Sequence, residues 1–187
     1  MAGTQPIRRP LVLTGGPAVG KTTCARTLAD MRPRATVIDV DDIRQLVVSG
    51  AAAPWEGPAG QEQLILAARN ASSLAVHFVG AGFDPVIADV LTPTSAEVYR
   101  QRLPDCLIVH LRVSLAEARR RAATRKVFLT ESEFEWLHDR DARQPPSADV
   151  VLRVDGWSIS RQVAELETVW AAGRSSTSLT QSPCDGG

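Results

Sequence analysis

The chain of 187 residues has 21 basic and 21 acidic side chains and is 44% hydrophobic, a composition typical of one globular domain. A protein dedicated to duplex DNA usually has a basic excess, because neutralising phosphates supplies much of its affinity, and this chain has none. No stretch approaches the ~18 apolar residues of a membrane-spanning helix, and the N-terminus lacks the apolar core of a signal peptide. Three cysteines without metal-ligand spacing fit a reducing compartment, so we expect a cytoplasmic protein that does not enter a membrane.

Short apolar segments alternate with helix-compatible segments along the chain. Strands are predicted over residues 11–14, 35–40, 85–88, 106–111 and 150–154. Helices are predicted over residues 21–31, 43–48, 61–79, 95–103, 115–125, 131–140 and 159–170. This alternation predicts an α/β fold, a parallel sheet with helices on both faces. The polar composition from residue 173 onward predicts one domain over 1–172, followed by a disordered tail over 173–187.

A glycine-rich segment, Gly15 to Thr22, follows the first strand and opens the first helix. It matches the phosphate-binding pattern G-x-x-x-x-G-K-[ST] in full. Glycine lets successive amides turn inward around a phosphate, and the start of the helix adds the positive end of its dipole. Lys21 is expected to reach the β- and γ-phosphates, and the Thr22 hydroxyl to ligate Mg²⁺. The segment predicts binding of ATP with Mg²⁺, although the sequence leaves ATP against GTP open.

The predicted nucleotide-binding residues extend slightly beyond this pattern. They are Gly15, Gly16, Pro17, Ala18, Val19, Gly20, Lys21, Thr22 and Thr23, with Arg143 placed beside the adenine.

Acidic residues and one arginine follow the second strand. A carboxylate beside a phosphate loop can accept the proton of an attacking hydroxyl and aim its oxygen at phosphorus, and Asp41 is predicted to do so. Arg44, about one turn further on, is predicted to bind a polar or anionic group of the acceptor, and Asp39 is assigned to the same site or to the metal. The alternative is that Asp41 or Asp42 only caps a short helix, with Arg44 in solvent.

Three further candidates lie in other segments. Asp89 ends an apolar strand, where an acid can hold Mg²⁺ through its water shell, unless it merely caps a turn. Arg121 and Arg125 are four residues apart on a predicted helix and share a face, so they are predicted to neutralise charge on the transferred phosphoryl group; the alternative is a solvated helix face. Trp55, in a loop rich in proline and glycine, either stacks on the acceptor or covers the core.

Together these motifs resemble those of small P-loop kinases of the chloramphenicol-phosphotransferase-like, zeta-toxin-like and polynucleotide-kinase-like family. The resemblance runs from about Leu11 to Trp170 and rests on the phosphate loop, the acidic site and the arginine pair. Asp41-Asp42-Ile43-Arg44 matches the Asp-Asp-x-Arg of polynucleotide 5′-kinases. The resemblance implies a P-loop NTPase fold with a five-stranded parallel sheet and a mobile, arginine-rich lid over about 119–144. It also implies that Asp41 is the general base and that Arg44 binds the acceptor.

Three functions are compatible with these residues. The favoured hypothesis is an ATP-dependent phosphotransferase acting on a hydroxyl of a small molecule, such as an antibiotic inactivated by phosphorylation or a nucleoside. A polynucleotide 5′-hydroxyl kinase is the second, less favoured because the chain lacks a basic excess. The third is a regulatory ATPase, which would not need Asp41 as a base for an alcohol. The sequence leaves the acceptor and the oligomeric state open.

Overall fold

A parallel sheet forms the centre of the molecule. The structure is a computed structural model that describes residues 9–124 and 129–175. Within these residues, five parallel strands form one sheet in the order β2-β3-β1-β4-β5. The strands are β1 (Leu11–Thr14), β2 (Ala35–Asp39), β3 (Asp84–Ala88), β4 (Leu107–Arg112) and β5 (Val150–Arg153). The predicted α/β fold with a parallel sheet is confirmed.

Helices cover both faces of this sheet. Those in the described ranges are α1 (Lys21–Asp30), α2 (Val40–Arg44), α3 (Gly57–Gly80), α4 (Pro93–Arg102), α5 (Leu115–Ala122), α6 (Glu131–Arg143) and α7 (Ile159–Ser175). Side chains alternate along β1, so Leu11 and Leu13 pack into one core with α1 and α7, while Val12 packs into the other with α3 and α4. None of the described helices is both long and apolar enough to cross a membrane.

The short helix α2 begins three residues earlier than predicted. The Asp39 carboxylate accepts a hydrogen bond from the backbone N–H of Asp41 at 3.2 Å, so Asp39 is the N-cap residue. The expectation that Asp41 or Asp42 caps this helix is therefore wrong. Because Asp39 caps the helix, the Asp41 side chain is left for other contacts.

Two of the predicted segments extend outside the described residues. Helix α7 continues to Ser175, so the first three residues of the predicted tail are helical, while residues 176–187 lie outside the described part of the chain. Residues 125–128, within the predicted lid, also lie outside it.

The direction of the strands places the candidate residues at one edge of the sheet. All strand pairs are parallel, so the carboxyl ends of β1, β2 and β3 point the same way. Asp39 is in register with Ala88, the residue before Asp89. Helix α1 starts directly after the loop that follows β1. The phosphate loop, Asp39 and Asp89 therefore meet at the edge where parallel α/β sheets bind ligands.

Gly60, in the first turns of α3, lies against the backbone of Ala53. A Cβ at Gly60 would lie 2.0 Å from the Ala53 carbonyl oxygen, and a backbone atom cannot move aside as a flexible side chain does. We expect Gly60→Ala to lower the free energy of unfolding by ~1–3 kcal/mol in urea denaturation. Gly80→Ala is the control at the other end of α3, where a Cβ would meet nothing within 4 Å. Equal urea midpoints for the two variants would contradict this packing.

Candidate active site

The phosphate loop has backbone conformations that require glycine at both ends. Gly15 has φ 138° and Gly20 has φ 108°, and a Cβ on Gly15 would lie 2.1 Å from the Leu111 carbonyl oxygen. The Lys21 ammonium donates to the Gly15 and Gly16 carbonyls at 2.8 and 3.0 Å. The predicted loop thus forms, with Lys21 folded over it.

Burial lowers the pKa of Lys21, and nearby carboxylates, of which Asp41 has the largest effect, oppose this shift. Asp41, the candidate base, is thus close enough to Lys21 to favour its charged form. Both line a cavity of about 1340 Å³. This is the arrangement that the acidic segment predicted.

The remaining acidic-site residues also lie at this cavity. Thr22 donates its hydroxyl to an Asp39 oxygen at 3.0 Å, which ties the start of α1 to the end of β2. Asp41 is ion-paired with the Arg44 guanidinium at 2.8 Å, and 61% of its side chain is exposed. All four residues line the cavity. The Arg44 pair orients the Asp41 carboxylate at the cavity wall.

Asp89 is the buried acid of the site. It accepts hydrogen bonds from the Tyr99 hydroxyl at 2.9 Å and from the Val90 N–H at 2.7 Å. Burial raises its pKa to about 6, although the Tyr99 hydrogen bond acts in the opposite direction. Asp89 lines the same cavity as Lys21, so the structure brings these residues together as expected.

The donor set at this edge suits a magnesium–nucleotide complex. It consists of the Thr22 hydroxyl and the carboxylates of Asp39 and Asp89, all oxygen ligands, which Mg²⁺ prefers. Among the described residues, no group of three or more His, Cys, Asp or Glu side chains could hold a metal ion unaided. The residues fit a metal that takes most of its remaining ligands from phosphates and water.

One tryptophan lines the cavity, and a second contacts it from helix α6. Trp55 lies in the loop before α3 and lines the cavity, and its ring meets that of Trp136 on α6 edge-to-face at 6.1 Å. Leu137 and Arg140, also on α6, line the same cavity. The structure thus brings Trp55 to the cavity, and stacking on the acceptor stays a prediction. The sequence did not indicate the contact between Trp55 and Trp136.

Arg121 contacts the phosphate loop from outside the cavity. Its guanidinium donates to the Val19 carbonyl at 3.1 Å and to the Val154 carbonyl at 2.6 Å, and it bonds Glu117 at 2.7 Å. The Gln162 amide, with its nitrogen toward the Val19 carbonyl at 3.2 Å and its oxygen toward Arg121 at 3.3 Å, completes this network. These contacts let Arg121 brace the phosphate loop. Arg121 does not line the cavity that Lys21 lines.

Two predicted arginines remain, and the structure describes one of them. Arg125 lies outside the described residues. Arg143, predicted beside the adenine, is 77% exposed and ion-paired with Asp139 at 2.8 Å. Arg140, one turn earlier on α6, lines the cavity instead. The structure therefore does not bring Arg143 to the cavity that holds Lys21, and its place beside the adenine stays a prediction.

His138 attaches α6 to the phosphate loop. Its Nε2 lies 3.0 Å from the Pro17 carbonyl, and since a carbonyl only accepts, Nε2 carries the proton. The ring also lies close to Gly16, where an added Cβ would be 3.2 Å from it. A second histidine, His110 on β4, bonds Asp141 of α6 at 2.9 Å. No pattern in the sequence indicates contacts between such distant positions.

Comparison with solved structures identifies the fold. A sugar kinase from Janibacter sp. HTCC2649 matches with a TM-score of 0.68 and 19% identity, covering 88% of this chain and 94% of that one. A gluconokinase from Sinorhizobium meliloti 1021 matches with a TM-score of 0.65 and 16% identity, covering 94% and 99%. The Deinococcus radiodurans tunicamycin resistance protein matches with a TM-score of 0.60 and 17% identity, covering 87% and 95%.

The chain therefore has the fold of the P-loop kinases. No protein-family model and no curated protein matches the sequence. The comparisons support the fold only. Membership of the chloramphenicol-phosphotransferase-like family stays a prediction.

Removal of Arg121 tests whether it braces the loop or takes part in transfer. Arg121→Met leaves the Val19 and Val154 carbonyls without their charged donor, so we expect the free energy of unfolding of the ligand-free protein to fall by ~1–3 kcal/mol. The control, Arg120→Met, removes an arginine whose side chain is 69% exposed. It should change the free energy of unfolding little. Unchanged stability of Arg121→Met in urea denaturation, with loss of phosphoryl turnover, would instead support the predicted catalytic role.

Protonation of His138 should lower the stability of the folded protein, because its side chain is buried. Burial lowers the pKa of His138, so the unfolded chain binds this proton more readily than the folded one. We expect the wild type to lose stability relative to His138→Gln as the pH falls from about 7 through 6.5, the ordinary pKa of histidine. Urea midpoints of both proteins between pH 5 and 8 check this, because His110 is common to both. A stability difference that is constant with pH would contradict the assignment.

Proposed function

We propose that the protein is an ATP-dependent phosphotransferase that moves the γ-phosphoryl group to a hydroxyl of a small molecule. The observation that carries this proposal is that Asp41 and Lys21 line one cavity beside a complete phosphate loop. A carboxylate in that position serves the deprotonation of an alcohol. A regulatory ATPase would need the loop and the metal ligands but no base set at an acceptor cavity.

The residues of the chain support the following reaction. Asp41 accepts the proton of the acceptor hydroxyl as its oxygen forms a new bond to the γ-phosphorus, and the bond from that phosphorus to the β–γ bridging oxygen breaks to release ADP. The loop amides and Lys21 stabilise the negative charge on the phosphate oxygens. Bound Mg²⁺ would neutralise further phosphate charge. Arg44 holds Asp41 in orientation through its ion pair.

The size and walls of the cavity favour a small acceptor. A volume of about 1340 Å³ exceeds the needs of the triphosphate and leaves room beside Trp55 and Arg44. The structural neighbours named as a sugar kinase and a gluconokinase, and the one named as a tunicamycin resistance protein, support a small-molecule acceptor, with an antibiotic or nucleoside among the candidates. Cytoplasmic activity on such a compound is part of the proposal.

A panel of acceptors tests the proposal directly. ATP labelled in the γ-position would be offered with sugars, hydroxy acids, nucleosides, antibiotics and a 5′-hydroxyl oligonucleotide. Label transferred to a small molecule is the expected outcome. Transfer to the oligonucleotide alone would favour the polynucleotide kinase, whose Asp-Asp-x-Arg pattern matches Asp41 to Arg44. Release of inorganic phosphate with every acceptor and no labelled product would support the regulatory ATPase.

Asp41 is the residue on which the proposed chemistry depends most. We expect Asp41→Asn to lower kcat for transfer by ~10²–10⁴-fold, the usual contribution of a general base, while nucleotide affinity stays within a few-fold. Asp42→Asn is the matched control, since Asp42 is the exposed neighbouring acid, and Lys21→Met reports any contaminating kinase. Undiminished transfer by Asp41→Asn in the labelled-ATP assay would remove the base from the mechanism.

A further inference from the structure

Arg140 has a buried guanidinium whose terminal nitrogens have no hydrogen-bond partner among the described residues. Both are buried, and none of the described residues accepts a hydrogen bond from either. Arginine stays charged in proteins, and a buried charge without a partner is strongly unfavourable. The Trp136 ring, 5.0 Å from the guanidinium carbon, offsets only part of this penalty. The position of the group therefore indicates a ligand that completes its hydrogen bonds.

The surroundings of Arg140 indicate that this ligand is an anion. Burial lowers the pKa of Arg140; the carboxylates of Asp141 and Asp89 oppose the shift, and the charge of Arg44 adds to it. Asp141 is engaged with His110, and Asp89 with Tyr99 and Val90. Arg44 and Arg140 line the same cavity, so two like charges repel each other there. An anion between them would relieve this repulsion and supply acceptor oxygens.

The location of the two arginines favours the acceptor over the nucleotide. The phosphate loop and Lys21 define where the triphosphate binds, at the start of α1. Arg44 is ion-paired with Asp41, the candidate base, and Arg140 of α6 lines the cavity that Trp55 also lines. Arg44 thus lies at the candidate base, to which an attacking hydroxyl would be brought, and Arg140 shares its cavity.

We propose that Arg140 and Arg44 form an anion subsite, so that the acceptor carries a carboxylate or a phosphate group in addition to the hydroxyl that is phosphorylated. This inference rests on the proposed phosphotransferase function and narrows its substrate class. Arginine pairs suit such groups because the planar guanidinium donates two parallel hydrogen bonds to oxygen pairs. The apolar part of the acceptor lies against Trp55 and the adjoining loop, residues 51–54.

Binding of simple anions tests the subsite without knowledge of the acceptor. With the nucleotide site saturated by a non-hydrolysable ATP analogue and Mg²⁺, methylphosphonate and acetate are titrated and thermal unfolding is followed. Methylphosphonate or acetate should raise the midpoint temperature of unfolding of the wild type. The anion that raises it more shows whether the subsite prefers phosphate or carboxylate. The neutral dimethyl ester of methylphosphonate should not raise it. Anion affinity should fall at least ten-fold in Arg140→Gln and in Arg44→Gln and stay unchanged in Arg102→Gln, an exposed arginine on α4.

Two measurements separate the subsite from other roles of Arg140. Ligand-free Arg140→Gln should be at least as stable as the wild type, because an unpaired buried charge is removed; a large loss of stability would indicate a structural role and overturn the proposal. Affinity for the ATP analogue should stay within a few-fold. A ten-fold or greater loss of analogue affinity would assign Arg140 to the nucleotide and also overturn it.

Turnover then distinguishes this proposal from the phosphotransferase itself. With the acceptor found in the panel, Arg140→Gln should raise KM at least ten-fold while kcat changes less, and the neutral amide or ester of that acceptor should be a poor substrate. Efficient transfer to neutral acceptors, with no dependence on Arg140, would overturn the subsite and leave the phosphotransferase standing. Anion binding that depends on Arg140, without transfer to any acceptor, would overturn the phosphotransferase and leave only a ligand site.

Discussion

The orientation of the phosphate-loop backbone is the constraint on which the rest of the site depends. If successive amides face inward to hold phosphates, their carbonyls face outward and need partners of their own. Lys21 donates hydrogen bonds to the carbonyls of Gly15 and Gly16. His138 donates to the Pro17 carbonyl, and Arg121 donates to the Val19 carbonyl. The loop is thus held by side chains from three elements, α1, α6 and α5.

This arrangement links the predicted lid to the loop it would cover. Residues 119–144 include the end of α5 and all of α6, and both helices bond the loop in the described structure. Ala18 of the loop also packs against Phe134 and Ala118. Movement of this segment, which stays a prediction, would therefore involve the loop contacts as well as the cavity wall.

The arginines of this region have separate physical roles. Arg119 pairs with Glu131 and Glu135, and Arg120 with Glu117, on exposed surface where such pairs contribute little to stability. Arg121 binds backbone carbonyls, and Arg140 faces the cavity. A run of like residues therefore does not define one function, because each position along the helix meets a different neighbour.

The contiguous features of the site were determined by the sequence alone. The loop from Gly15 to Thr22 sets its own conformation through glycine torsions and the start of α1, and acids directly after β2 and β3 must share an edge once the sheet is parallel. Only the tertiary structure decided that Arg140 and not Arg143 reaches the cavity, that Arg121 braces the loop, and that His138 bonds Pro17 across 121 positions. Those contacts depend on how α5 and α6 are rotated against the sheet, and this rotation results from the packing of many side chains rather than from any local pattern.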